Sequence, residues 1–276
     1  MIIIGEKING TRTAVAQAIQ ARDEGFIENL ALQQTSAGAH YLDVNAGTGT
    51  DRETNDMLWL VRTIQEVTEV PLCLDSANPK TLESGIGVVK RTPMLNSLSG
   101  EKKRLDMVLP LVCEYKTELI VLALDDGGIP KTSEDRLTII RRLIEKTREG
   151  GLPDENLYVD PLVTAIATGT ENAKIAFETI RRIKVEFPQV HIIAGVSNIS
   201  FGMPSRSHIN QAFAVLAIAA GLDSAIINPE DRGLLTMIYA AELLMGMDRH
   251  CLNYNQAYRA GIIGTPRRLK QAKAKQ

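Results

Sequence analysis

Short apolar runs recur along the chain, each followed by a polar residue, a loop and an amphipathic stretch. The runs are Ile2–Ile4, Tyr41–Val44, Pro71–Leu74, Pro93–Leu95, Leu119–Leu124, Leu157–Val159, Ile192–Val196 and Ser224–Ile227. Continuous runs of this kind predict strands buried on both faces. They begin about 20 to 40 residues apart, enough for one strand, one helix and two short loops. The stretches between them read as helices. From Glu53 to Val70, Met57, Leu60, Val61, Ile64 and Val67 fall at helical spacing. Thr132-Ser133-Glu134-Asp135 opens another helix, continued by Leu137, Ile140 and Ile144, with basic residues late. Asn210 to Gly221 is nearly all apolar, with Gly221 as its stop. Strand and helix alternating eight times predict parallel strands joined by crossover helices. The expected fold is α/β, a single-domain (β/α)8 TIM barrel over residues 1–260. No Gly-x-Gly-x-x-Gly follows the first strand, which disfavours a doubly wound open sheet.

Composition narrows the classes of partner. The 276 residues are 44% hydrophobic and 23% charged, ordinary for a globular chain, and carry a net charge of -2. That balance argues against a polycationic nucleic-acid binder, and an aromatic content of 4% argues against a base-stacking platform. The charge is uneven. Residues 261–276 form a basic C-terminal tail with Arg267, Arg268, Lys270, Lys273, Lys275 and no acid. The tail reads as a solvated end or as a docking arm for an acidic partner. Cys73, Cys113 and Cys251 make no CxxC pair, and Cys73 reads as a small buried hydrophobe. The apolar start is too short for a signal peptide, and no run reaches the roughly 18 residues of a membrane span. A soluble cytoplasmic protein is expected, without membrane or nucleic-acid partners.

In a barrel of this type the chemistry sits where strands end and the following loops begin. Those positions read Glu6, Asn9, Asp43, Asn45, Asp75, Asn96, Asp125, Asp126, Asp160, Ser197, Asn198 and Asn228. They are nearly all carboxylates and amides. No Ser/His/Asp set is visible, no cysteine falls at a strand exit, and His40, His191 and His208 read as structural. Two chemistries suit such a ring. It could hold a divalent cation. It could also bind the edge of a flat heterocycle, since a carboxylate accepts two parallel N–H bonds and an amide reads a ring nitrogen or oxygen. An isolated Asp at such a position can simply cap the next helix.

The segments Gly5-Glu6-Lys7-Ile8-Asn9-Gly10, Leu42-Asp43-Val44-Asn45, Leu74-Asp75-Ser76, Leu95-Asn96-Ser97, Val159-Asp160-Pro161 and Gly195-Val196-Ser197-Asn198-Ile199-Ser200-Phe201-Gly202 occur in order at successive strands. With them the chain resembles the pterin-binding (β/α)8 family over residues 1 to 255. Within that family it is most similar to the methyltetrahydrofolate:corrinoid protein methyltransferase branch and to the folate domain of cobalamin-dependent methionine synthase. The resemblance implies that Asp75, Asn96 and Asp160 hold the pterin edge. It places Asn198 beside N5, with Gly195 and Ser197 in the same loop. Glu6, Asn9 and Asp43 are expected as further contacts on the same rim. Some relatives carry an amide where this chain has Phe201, so Phe201 would pack on the pterin or line the corrinoid approach.

The same resemblance implies the substrates and partners. Tetrahydrofolate or 5-methyltetrahydrofolate would be the substrate, and the cobalt of a corrinoid (cobalamin) on a separate protein would exchange the methyl group. No metal bound by this chain is implied, and relatives of this kind are homodimers. Asn198 would hydrogen-bond N5 in the transition state, with no covalent intermediate on the protein. Asp248-Arg249-His250 resembles part of a corrinoid-binding Asp-x-His motif but lacks its glycine, so it reads as coincidence. The alternatives are a dihydropteroate synthase-like pterin enzyme, a metal-dependent lyase, or a non-catalytic folate-binding or docking protein. The first would want a basic residue in the seventh loop and an Arg/His pair after the eighth strand, where this chain has Ser197-Asn198-Ile199 and Ile227-Asn228-Pro229-Glu230.

Overall fold

The structure, a computed structural model, describes residues 1–264. Eight parallel strands close into a barrel in sequence order: β1 (Ile2–Asn9), β2 (Tyr41–Asn45), β3 (Leu72–Asp75), β4 (Met94–Leu98), β5 (Glu118–Leu122), β6 (Leu157–Asp160), β7 (His191–Gly195) and β8 (Ser224–Ile227). The helices outside it are α1 (Thr13–Ala21), α2 (Glu24–Ser36), α3 (Thr50–Val67), α4 (Pro79–Ile86), α5 (Lys102–Tyr115), α6 (Ser133–Glu149), α7 (Asn172–Glu186), α8 (Arg206–Ala220), α9 (Arg232–Leu244) and α10 (Leu252–Arg259). The expected TIM barrel is the observed fold. The basic residues of the tail lie outside the described residues. Ile263, at the start of that segment, is buried, and the Gly264 N–H donates to Thr236 Oγ1 at 3.0 Å.

Each apolar run is buried on both faces. Inward, Ile4, Cys73, Met94, Ile120, Tyr158 and Ile193 fill the barrel. The outward residues of the same strands, such as Leu42, Leu74, Leu95, Val121 and Val159, lie under the helices. Helix starts follow capping rules. Thr132 Oγ1 accepts from Asp135 N–H at 3.1 Å, Asn78 caps α4 with Pro79 behind it, and Asp231 caps α9. Gly221 ends α8 with φ 119°, a conformation glycine adopts without penalty.

Two differences from the expected elements bear on function. The first strand extends to Asn9 instead of ending at Ile4, with an irregularity between Gly5 and Ile8 where it pairs with β2. Glu6, Lys7 and Asn9 are therefore strand residues. The polar stretch hides the strand from a pattern reading, although its pairing with β2 resumes at Ile8↔Val44. The second concerns Asp248. Its carboxylate accepts from the Asn253 and Tyr254 backbone N–H groups at 3.0 and 2.9 Å at the start of α10. The partial Asp-x-His pattern is therefore spent on helix capping.

Candidate active site

Strand register assembles the predicted residues. Asn45 pairs with Asp75, and Asp75 with Asn96; Asp160 pairs with Leu122 of β5. Residues paired across parallel strands present the same face. Met94 and Tyr158 lie in the barrel interior, so Asn96 and Asp160, two residues further along, also face inward at the exit end. A cavity of about 220 Å³ opens there, lined by Asp75, Ser76, Asn96, Ser97, Arg104 and Leu122, among others. A larger cavity of about 700 Å³ lies elsewhere, between the strand entries and the C-terminal helices, and includes His40, Tyr239 and Gln256. It contains none of the predicted site residues.

The carboxylates are held by amides. Asn45 Nδ2 donates to Asp75 Oδ2 at 2.7 Å, and Asn96 Nδ2 donates to Asp43 Oδ1 at 3.3 Å. Asp43 is therefore not a rim residue. It pairs with Cys73, one layer below Asp75, and is 4% exposed. Burial pushes its carboxyl well above the usual range, and the charge of Asp75 pushes the same way. Burial also raises Asp75, while the Asn45 amide and the Arg104 guanidinium oppose the rise. Asp160 is pushed up to about 6 by burial, against a backbone N–H bond from Leu162 and the charge of Arg136. Glu6 is raised by burial and lowered by its ion pair with Arg12 at 3.1 Å. Asn9 turns its side-chain oxygen to the Thr11 N–H and hydroxyl at 3.0 and 2.7 Å, so it shapes its own loop.

Three arginines outside the predicted set hold the loops that carry these groups. Arg104 donates to the carbonyls of Ser76, Ala77 and Ser97. Arg136 donates to those of Pro130, Pro161 and Leu162. Arg206 donates to the Ser197 carbonyl and to Ser200 Oγ. Ser76 Oγ donates to Glu53, which approaches from α3.

The seventh exit differs in character. After β7 the chain makes one 3-10 turn, Val196–Ser200, which leaves Asn198 exposed. Gly195 leaves room for its side chain. A Cβ added at Gly195 would lie 2.9 Å from Asn198 Nδ2. Phe201 is 70% exposed, with the Arg206 guanidinium 5.8 Å from its ring centroid. Across the mouth, Gly10 lets the β1 and β2 exit loops touch, since a Cβ there would overlap the Ala46 carbonyl oxygen. The structure thus groups Asn45, Asp75, Asn96 and Asp160 on one inner surface, with Asp43 beneath. Asp125 pairs with Arg142 at 3.0 Å, and Asn228 accepts from the Glu230 N–H at 3.1 Å; neither joins that group. His40 accepts the Ile3 N–H at 3.1 Å, and His191 stacks on Tyr158.

An acceptor-rich edge set at the exit of a (β/α)8 barrel is what recognises an amino-oxo heterocycle. The profile of the family described as pterin binding enzymes matches residues 5–228. The chain belongs to the pterin-binding enzyme family. Among its relatives, the methylcorrinoid:tetrahydrofolate methyltransferase of Eubacterium limosum is 39% identical over 96% of this chain and 98% of its own length. The methionine synthase of Mycobacterium tuberculosis (strain ATCC 25618 / H37Rv) is 30% identical over 83% of this chain, which spans 20% of that much longer protein. The first of these names describes a methyltransferase. Among solved structures, Yersinia pestis DHPS with a pterine-sulfa conjugate superposes with a TM-score of 0.69 at 15% identity, covering 89% of this chain and 93% of that one. At that identity the likeness speaks for the fold alone.

Proposed function

We propose that this chain is a methyltransferase that moves a methyl group between N5 of tetrahydrofolate and the cobalt of a corrinoid carried on a separate protein. The observation that carries the reading is that Asp75, Asn96 and Asp160 face inward at the barrel's exit end, with Asn198 exposed in the turn after β7 at that same end. A relative of that activity, alike along nearly its whole length, supports it. The relative's name also favours transfer from methylcorrinoid to tetrahydrofolate as the working direction.

The donor set fits the substrate. The 2-amino and N3–H edge of a pterin offers adjacent N–H donors, and Asp75 and Asp160 offer carboxylate oxygens. Asn96 presents an amide, with its own Nδ2 anchored on Asp43. The ring is thus held by its edge, consistent with 12 aromatic residues in the whole chain. The corrinoid supplies a methyl-bearing cobalt from its partner protein. Asp248 does not fit a role in holding it, because both carboxylate oxygens serve α10.

In this reading Asn198 works at N5. A primary amide donates through Nδ2 or accepts through Oδ1, so rotation lets it follow N5 as charge and proton change there. Its contribution is stabilisation of the transition state through a positioned dipole. Asp160, with its carboxyl pushed up to about 6, and Asp43, raised by burial one layer below Asp75, are the groups best able to hold a proton close by. Phe201 and Arg206 edge the approach for the partner protein. We extend the proposal to a cytoplasmic homodimer, supported by Leu216 of α8 and Met237 and Leu244 of α9, which are exposed apolar residues on adjoining helices. Among the described residues, no helix is long and apolar enough to cross a membrane.

The test is optical. Mixing the protein with Co(I) corrinoid and methyltetrahydrofolate should convert the Co(I) band to that of methyl-Co(III). The reverse mixture, methylcorrinoid with tetrahydrofolate, should release Co(I). A flat trace in both directions, with a competent control enzyme turning over, would overturn the proposal. Tight folate binding with no turnover would favour a docking protein.

A further inference from the structure

Arg136 is a charged side chain that the methyl-transfer chemistry does not use, yet it is 2% exposed. A buried guanidinium is costly unless its donors are satisfied. Here Nη1 donates to the Pro161 and Leu162 carbonyls at 2.7 and 2.8 Å, and Nε to Pro130 at 3.1 Å. Two of these three acceptors belong to the two residues after Asp160. Leu162 has φ 61°, a left-handed conformation that a γ-branched residue adopts only when its surroundings enforce it. In that conformation its N–H points back and donates to Asp160 Oδ1 at 2.7 Å. A strained residue, its own carbonyl and the preceding one both held by Arg136 Nη1 while Nε anchors on Pro130, and an N–H aimed at the last residue of β6 form one connected device.

We infer that Arg136 is a positioning residue for Asp160: by holding the Pro161 and Leu162 carbonyls it keeps Leu162 left-handed, and the Leu162 N–H then fixes the Asp160 carboxylate at the barrel mouth. The fork geometry is essential. A lysine keeps the positive charge, but its single ammonium does not offer the two-pronged, planar reach that spans loops from β5 and β6. Arg136 acts on Asp160 in two ways, through this backbone route and through its charge. The residues paired alongside on neighbouring strands, Leu122 beside Asp160 and Ile192 beside Val159, carry no charge. That Asp160 meets a pterin rests on the functional proposal above. That Arg136 sets its orientation does not.

The experiment compares the wild-type chain of residues 1–276 with Arg136→Lys, Leu162→Gly and the double variant. Two readings are taken on each: the Asp160 titration by carbon-13 NMR of carboxyl-labelled aspartate, assigned through Asp160→Asn, and the affinity for tetrahydrofolate by calorimetry. Arg136→Lys should raise the Asp160 midpoint by about half a pH unit or more as the aimed N–H is lost. It should weaken tetrahydrofolate about tenfold, the scale of one charged hydrogen bond. Leu162→Gly adopts the left-handed conformation unaided, so in the Arg136→Lys background it should move both readings back toward wild type. A purely structural arginine would lower the melting temperature and leave the Asp160 midpoint where it was. The inference is overturned if Arg136→Lys leaves midpoint and affinity unchanged, or if Leu162→Gly restores neither. If the wild-type chain binds no tetrahydrofolate, the functional proposal fails, and the titration still decides the role of Arg136.

Discussion

Gly195→Ala isolates the placement of Asn198. The backbone at Gly195 has φ −74° and ψ 94°, values alanine adopts freely, so the substitution adds no backbone strain. What it adds is a methyl group 2.9 Å from Asn198 Nδ2, where ordinary contact begins near 3.4 Å. The amide must therefore retreat by about half an ångström or rotate away. A full ångström of misplacement at a reacting centre can cost about a hundredfold in rate, so half of that predicts a loss of about tenfold in methyl transfer. Stability should hold, because replacing glycine by alanine at a compatible conformation gains about 0.4–1 kcal/mol from the unfolded chain. The assay follows the Co(I) band with methyltetrahydrofolate as donor, alongside a thermal melt. The double variant Gly195→Ala/Asn198→Ala completes the cycle. With the Asn198 amide gone the added methyl has nothing to displace, so the double variant should match Asn198→Ala alone. Full activity in Gly195→Ala, or losses that simply multiply in the double variant, would refute the placement of Asn198 as the rate-determining contact.

Asp160→Asn should exchange function for stability. The folded-state carboxyl sits at about 6 against an ordinary 3.8, so the native state favours the protonated form. Its stabilising contribution is complete below about pH 4 and is lost as pH rises through 6, a difference of about 3 kcal/mol. The amide variant should therefore be more stable than wild type at pH 7, by up to that amount in urea titrations, with the gap closing near pH 4. A gap independent of pH would show the carboxyl is not strained by burial. Asp43→Ala removes the acceptor that anchors the Asn96 amide, and should weaken tetrahydrofolate binding about tenfold by calorimetry. Arg104→Met strips donors from the Ser76, Ala77 and Ser97 carbonyls beside the site, and should cost about 3 kcal/mol or more in denaturant unfolding.

Much of the architecture was legible because a barrel strand is buried on both sides and so writes itself as an apolar run. Seven of the eight runs meet their strands within a few residues. β1 was legible only in its first half. Glu6 and Lys7 break its apolar pattern, and its pairing with β2 is irregular between Gly5 and Ile8 before it resumes at Ile8↔Val44. The candidate site followed the same logic. Asp75, Asn96 and Asp160 stand where apolar runs stop, so the rule that chemistry lies at strand exits finds them. Asp43 follows the rule less well, since it sits inside its run with Val44 and Asn45 after it. Only the register with Cys73 reveals that it lies a layer lower, supporting Asn96 from beneath.

The arginines were the hardest to read, and the reason is instructive. A first-turn arginine on an amphipathic helix ordinarily reads as a solvated charge. Yet the positive end of the helix macrodipole disfavours a cation in that turn, and Arg104, Arg136 and Arg206 all stand at or near the first turn of α5, α6 and α8. A cation placed against the dipole needs some other anionic or carbonyl partner to offset the cost. Each of these three finds it in backbone carbonyls at strand exits: those after β3 and within the end of β4 for Arg104, those after β5 and β6 for Arg136, that after β7 for Arg206. Those exits carry Asp75, Asn96, Asp160 and Asn198. At Arg104, Arg136 and Arg206 the misfit between residue and helix end coincides with strand-exit backbone whose shape is held; at Arg52, by contrast, the first-turn cation is offset by Asp56 of its own helix.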